Sequence, residues 1–158
     1  MATSLHRIYD NFIWRIETIT PTYTSRHGGF RSFDPTKETV GANSGSLRKF
    51  FVEWNDSGKD FAATNVNARE APHTWMLTVF YPIVQPWKET HHMILLDRHD
   101  LLTQLRDDRK RVGYNADNTT TDIGLYQRRR LGDQLIKDEP KLWRLLIEWE
   151  CKTVESEI

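Results

Sequence analysis

The closing segment of the chain, KLWRLLIEWECKTVES from Lys141 to Ser156, places the tightest constraint on the fold. Alternation of apolar and charged residues with a period of two is typical of a strand that is buried on one face. The same segment has a helical rival, because Leu142, Leu145, Leu146 and Trp149 also follow helical spacing, but Trp, Ile and Cys favour a strand. The apolar odd positions are Trp143, Leu145, Ile147, Trp149 and Cys151, and the charged even positions are Arg144, Glu148, Glu150 and Lys152.

Five earlier segments also have the patterns of regular structure. Apolar residues at helical spacing indicate a helix, and short β-branched or aromatic runs bounded by turn residues indicate strands. The patterns predict a first helix at Leu5–Ile16, a strand at Lys49–Trp54 and a central strand at His73–Val84. They also predict a middle helix at Lys88–Arg111, with Asp97–Asp100 as an alternative restart of a second helix. Leu125–Ile136 is predicted to be a hairpin that turns at Gly132–Asp133.

A long polar segment separates the first helix from the first strand. Residues 19–48 follow neither a helical nor an alternating period, and stretches of this length are unusual inside compact domains. Phe30 and Phe33 indicate that the segment docks, on its own sheet in a monomer or on the next subunit in an oligomer. We therefore expect a single α+β domain over 1–158, a mostly antiparallel sheet flanked by an N-terminal helix and a middle helix, with 19–48 as an extended loop.

Composition limits the class of protein. The 158 residues carry a formal net charge of zero, so bulk electrostatic capture of nucleic acid is not expected. The lone Cys151 is predicted to be a small buried hydrophobe in a protein of a reducing compartment. The N-terminus MATSLHRIYD lacks the layout of a signal peptide and no apolar run reaches membrane length, so we expect a soluble, cytosolic protein without membrane contact.

Motifs for catalysis are missing from the sequence. The cluster of His91, His92 and His99 lacks the spacing of a zinc site, and no nucleophile elbow or phosphate-binding loop occurs. We expect no enzyme activity, no metal and no cofactor. Arg128 and Arg130 in QRRRLGD are predicted to share a strand face and to pair with acidic residues of a neighbouring strand or of another subunit.

The order of these elements resembles the tail terminator and related neck proteins of long-tailed bacteriophages. The resemblance rests on the amphipathic first helix, the aromatic strand WMLTVFYP, the segment DRHDLLTQL (97–105), a polar loop and the pattern from Trp143 to Glu155. It implies an α+β subunit that closes into a six-membered ring, caps the tail tube and joins it to the head. The pattern does not separate a tail terminator from a neighbouring neck protein.

The resemblance also implies partners and a place in the virion. The partners are further copies of the chain, the tail tube protein, head–tail connector or stopper proteins, and DNA in transit through the channel; assembly takes place in the host cytoplasm. We expect the charged face of the last strand, with Arg144, Glu148, Glu150 and Lys152, to meet a neighbour or to line the channel. Arg128 and Arg130 are candidates for subunit contacts. The alternative is a small intracellular adaptor that uses residues 20–48 for recognition.

Overall fold

The computed structural model describes residues 5–24, 28–41, 47–54, 62–63, 68–83, 85–106 and 127–156. Within this part the chain forms two helices and six strands. Their order is α1 (Leu5–Glu17), β1 (Arg31–Ser32), β2 (Lys49–Trp54), β3 (Ala62–Ala63), β4 (Ala68–Pro82), α2 (Trp87–Arg106), β5 (Gln127–Glu139) and β6 (Leu142–Ser156).

The strands form one mostly antiparallel sheet. Its order is β1-β2-β4-β6-β5, and β3 pairs with the outer part of β4. Only β1 and β2 run parallel to each other. β4 lies between β2 and β6 along its aromatic stretch, as its β-branched and aromatic composition predicted. The predicted α+β class, with an N-terminal and a middle helix, is confirmed.

The core lies between the two helices and one face of the sheet. Phe12 of α1 packs edge-on against Trp75 of β4, with ring centroids 5.3 Å apart, and against Trp149 of β6 at 5.0 Å. Edge-to-face aromatic pairs add to the stabilisation from burial alone. Further buried members come from both layers and include Ile16, Met93, Ile94 and Leu101 from the helices, and Leu77, Val79, Tyr81, Leu145 and Ile147 from the sheet.

The last segment is a strand, as the alternation predicted. Leu145, Ile147 and Trp149 are buried, and Trp143 is half-buried. β6 pairs with β4 on one side and β5 on the other. Pairing on both sides from Leu142 to Lys152 satisfies the backbone there, and a helix could not combine such pairing with this burial pattern.

The hairpin predicted at Gly132–Asp133 is wrong. β5 runs through this position as one strand, with a β-bulge between Arg130 and Gly132. The chain reverses instead at Pro140–Lys141, directly before β6. The long β6 offers pairing partners to all of β5, so the glycine is absorbed as a bulge rather than used as a turn.

The middle helix does not restart at Asp97–Asp100. α2 is continuous through these residues, because the side chain of Asp97 is turned into the core and does not cap a new helix. Its last described residue is Arg106; the remainder of the prediction to Arg111, and the polar loop at 113–124, lie outside the described residues.

The described part of the segment after α1 packs on its own chain. Arg48 donates hydrogen bonds to the backbone oxygens of Tyr23 (2.7 Å) and Gly28 (2.8 Å). The Thr22 amide and hydroxyl both donate to Asp100 of α2 at 2.8 Å. Phe30 is buried in the core. A contact of this segment with a neighbouring subunit stays a prediction.

Neither helix in the part of the chain that the structure describes is long and apolar enough to span a membrane.

Candidate functional site: the open face of the sheet

The two helices cover only one face of the sheet. On the other face, Phe51, Met76, Phe80 and Leu146 keep part of their side-chain surface in water. Their neighbours on the helix side, such as Leu77, are fully buried. No described helix lies over this second surface, which we call the open face. A half-exposed apolar sheet face is the kind of surface that proteins use for contacts.

The strand register arranges the open face in cross-strand rows. One end is basic, the middle is apolar, and the other end is acidic. From the basic to the acidic end the rows are Lys49, Phe80, Arg144 and Ile136; then Phe51, Thr78, Leu146 and Gln134; then Glu53, Met76, Glu148 and Gly132; and finally Thr74 with Glu150.

The charges at the basic end are compensated within the chain. Lys49 forms an ion pair with Glu38, and the Nε of Arg144 donates to Asp138 at 2.8 Å. At the acidic end, Glu53 and Glu148 have no ion-pair partner among the described residues. The open face therefore presents an acidic end that a cationic group could satisfy.

The apolar part includes a three-ring cluster. Phe33 packs edge-on against Phe51 (5.6 Å between ring centroids) and Phe80 (5.7 Å). Phe51 and Phe80 are 6.1 Å apart. Aromatic side chains of this kind are enriched in protein interfaces, since they bury a large area with little loss of side-chain entropy.

A depression of about 240 Å³ lies at the acidic end of the open face. It forms where Gly132 contributes no side chain to its row. Asp133 at its edge is held by an ion pair to Arg98 of α2, with Arg98 Nη2 3.1 Å from Asp133 Oδ1. The depression combines two apolar side chains with two carboxylates, of which Asp133 is the one paired with Arg98; its lining residues are Met76, Gly132, Asp133, Gln134, Leu146 and Glu148.

The predicted site residues are only partly brought together. Arg144, Glu148 and Glu150 lie at even positions of β6 on the open face, with Leu146 between Arg144 and Glu148. The side chains of Lys152, Arg128, Arg130 and Cys151 lie outside the described part of the structure. In the backbone register, Arg128 and Arg130 pair with Cys151 and Trp149, whereas Arg129 pairs with Glu150. The contact roles of all these residues stay predictions.

Sequence reasoning missed a buried charge network. The Arg48 guanidinium binds the Asp97 carboxylate through two hydrogen bonds, at 2.7 and 3.0 Å, and the Tyr81 hydroxyl donates to the same carboxylate at 2.8 Å. Burial raises the pKa of Asp97, and burial together with the adjacent Asp97 raises the pKa of Tyr81. The side chains of Arg48 and Asp97 are at most 1% exposed, so this network holds elements together rather than meeting a ligand. Residues 49 positions apart give no local signal of such a pair.

Two of the three histidines on α2 make ring contacts. His91 stacks on Trp87 at 5.0 Å, and His92 packs edge-on against Tyr23 at 6.1 Å. No group of three or more metal-ligating side chains occurs among the residues that the structure describes. The expectation that the protein has no enzyme activity stays a prediction.

The comparisons with known proteins add no family assignment. No protein-family model matches the chain, and a search of curated proteins finds no significant match.

Proposed function

We propose that this protein is a structural subunit of the head–tail junction of a long-tailed bacteriophage. In this role it forms a homo-oligomeric ring, hexameric in the proteins it resembles, that caps the tail tube and joins the tail to the head. The observation that supports the proposal most is the open face, which combines an aromatic cluster with Glu53 and Glu148, two carboxylates that have no ion-pair partner among the described residues. A subunit of an assembly needs such a surface, whereas a monomer gains nothing from leaving it in water.

The remaining features are compatible with an assembling subunit. The chain has zero formal net charge, so long-range repulsion between copies is weak. Several large apolar side chains remain exposed away from the open face: Tyr9, Trp87 and Leu95 on the helices. A ring requires two different surfaces that complement each other, and its closed rotation prevents growth into a filament.

The proposal names the partners and the place of action. The ring would contact the tail tube protein on one side and a head–tail connector or stopper protein on the other, with DNA passing through its channel. Assembly in the host cytoplasm and location in the virion are parts of the same proposal.

The adaptor alternative receives less support from the geometry. It makes residues 20–48 the recognition element, but the described part of this segment is engaged with its own chain through Arg48, Asp100 and the buried Phe30. A recognition segment would have to give up these contacts in order to bind.

The test is the state of assembly of the purified protein. We would measure the mass by light scattering on a size-exclusion column, image the peak by negative stain, and add purified tail tubes of the phage that carries the gene. Rings in solution, or caps on tube ends that stop tube growth, are the expected result. A protein that stays monomeric and leaves tube growth unchanged would contradict the proposal and favour the adaptor.

A further inference from the structure

A second charged surface lies at the end of the sheet near the β5–β6 turn. Trp87 stacks on Trp143 with ring centroids 4.6 Å apart, and Trp87 remains 41% exposed. Three exposed lysines are near this stack: Lys88 follows Trp87 in the sequence, Lys137 pairs with Trp143 in the strand register, and Lys141 precedes Trp143 by two residues. None of the three has an ion-pair partner among the described residues. We call these residues the lysine–tryptophan patch: Lys88, Lys137, Lys141, Trp87 and Trp143.

Lys141 is the best presented cation of this patch. It is exposed in the two-residue turn between β5 and β6. Its backbone oxygen accepts a hydrogen bond from the Ile83 amide at 2.7 Å, which fixes the turn against the end of β4. The lysine is therefore held on a defined backbone before any contact forms, so a partner pays less to order it.

The depression on the open face fits a side chain of this type. Met76 and Leu146 provide apolar surface, and Glu148 provides a half-buried carboxylate without a cation partner in the described structure. A lysine has the matching chemistry, since its aliphatic stem packs on apolar surface while its ammonium group pairs with a carboxylate.

Gly132 is not required by the fold of its own chain. A Cβ atom at this position would meet no atom within 4 Å, and its backbone is not in the left-handed region. Glycine inside a strand is unfavourable and often marks a place where another group approaches closely. The missing side chain leaves the depression open.

The two surfaces cannot meet within one copy. Lys141 and Glu148 are seven residues apart along an extended chain, which is about 23 Å at the rise of a strand. A contact between them must therefore join two copies through different surfaces. Contacts of this kind generate rings when the rotation closes.

We propose that Lys141 of one copy inserts into the depression of the next copy, and that this contact builds the ring. The inference rests on the proposed function and deepens it, because it names the two surfaces that join neighbouring subunits. The ammonium group of Lys141 pairs with Glu148, and its stem packs on Met76 and Leu146.

A charge-swap experiment tests the contact. Glu148→Lys and Lys141→Glu are each expected to weaken self-association about tenfold or more, since each places like charges against each other. The double variant restores the pair in every contact. An equimolar mixture of the two single variants also restores it, because alternating copies match at both surfaces. Sedimentation velocity of the free protein and capping of tail tubes are the readouts.

Two further variants distinguish loss of the contact between Lys141 and the depression from a general effect on folding or surface charge. Gly132→Leu places a side chain in the depression from a Cβ that meets no atom within 4 Å, and it is expected to abolish ring formation while thermal unfolding stays cooperative. Lys37→Glu reverses an exposed charge on the same chain outside the two surfaces, and it is expected to assemble as the unchanged protein does.

The outcomes distinguish the two proposals. If the unchanged protein forms rings or caps tubes but the charge-swap variants and Gly132→Leu do so equally well, this contact is refuted while the proposed function stands. If the unchanged protein neither self-associates nor caps tubes, both are refuted. Restoration by the double variant and by the mixture, with loss in each single variant, supports the contact.

Discussion

Arg48 shows how one residue can connect distant parts of this chain. Its backbone has a φ of 62°, in the left-handed region that costs a residue other than glycine about 1 kcal/mol or more. The side chain offsets this cost with two hydrogen bonds to Asp97 and two to backbone oxygens of the segment after α1. A glycine at this position would relieve the backbone but would remove the cation that Asp97 requires.

Removal of the Asp97 charge is expected to destabilise the protein strongly. Asp97→Asn keeps the shape of the side chain but leaves Arg48 buried without an anion, which costs about 3–5 kcal/mol. Urea unfolding monitored by tryptophan fluorescence measures the free energy of unfolding. Asp100→Asn is the matched control on the same helix, because Asp100 is only partly buried. A loss below about 1 kcal/mol for Asp97→Asn would show that the pair behaves like a surface ion pair.

The hydroxyl of Tyr81 is expected to act through the same carboxylate. Tyr81→Phe removes the hydrogen bond of 2.8 Å to Asp97 and should cost about 1.5–3 kcal/mol, the usual value for a bond to a charged group. A double-mutant cycle with Asp97→Asn should show non-additive free energies of unfolding. Additive effects would show that the Tyr81 hydroxyl contributes independently of the Asp97 charge.

Substitution of Gly132 is expected to stabilise the protein, in contrast to the two substitutions above. Gly132→Ala should raise the free energy of unfolding by about 0.5–1 kcal/mol, because glycine in a strand loses more conformational entropy on folding than alanine. The added Cβ meets no neighbouring atom. The measurement is the same urea titration. A lower stability would mean that the β-bulge itself needs glycine.

At the scale of elements, the segment after α1 depends on the buried charge pair. Arg31 N–H donates to the Arg48 oxygen at 3.2 Å, and Phe33 N–H donates to the Phe50 oxygen at 3.0 Å, which forms β1 against β2. In a variant that combines Arg48→Met with Asp97→Leu, both charges are removed together, so the core avoids an unpaired ion. We expect the amides of Arg31 and Phe33 to exchange hydrogen faster, while those of β4 change little. Equal acceleration in β4 would indicate a general loss of stability instead.

At the scale of the whole molecule, the open face decides how copies meet. Reversal of both Glu148 and Glu150 to Lys distinguishes the two roles predicted for this face in a ring, a contact between subunits and a lining of the channel. If it forms a subunit contact, the variant should lose rings and tube caps. If it lines the channel, rings and caps should form normally, but DNA passage should slow, because lysines would attract the phosphates. Electron microscopy of tails and a DNA ejection assay report on the two roles. Unchanged assembly and unchanged DNA passage would exclude both.

Local pattern was sufficient for most elements of this fold. The alternation from Leu142 onward, the aromatic stretch of β4 and the helical spacing of α1 are properties of neighbouring residues, and burial on one face of each element explains them. The turn at Gly132 was assigned wrongly, because a glycine in a strand has the same local signature whether the chain turns or bulges there. Only the length of β6, which pairs with all of β5, decides between the two.

The sequence by itself determined the α+β class, the buried face of β6 and the row of charges at Arg144, Glu148 and Glu150. The tertiary structure alone decided which groups from distant positions meet. Asp97 accepts hydrogen bonds from Arg48 and Tyr81, and Gly132 opens a depression beside Met76, because the sheet register and the helix packing bring these residues together. Side-chain pairing over such separations depends on three-dimensional proximity, which periodicity along the chain does not encode.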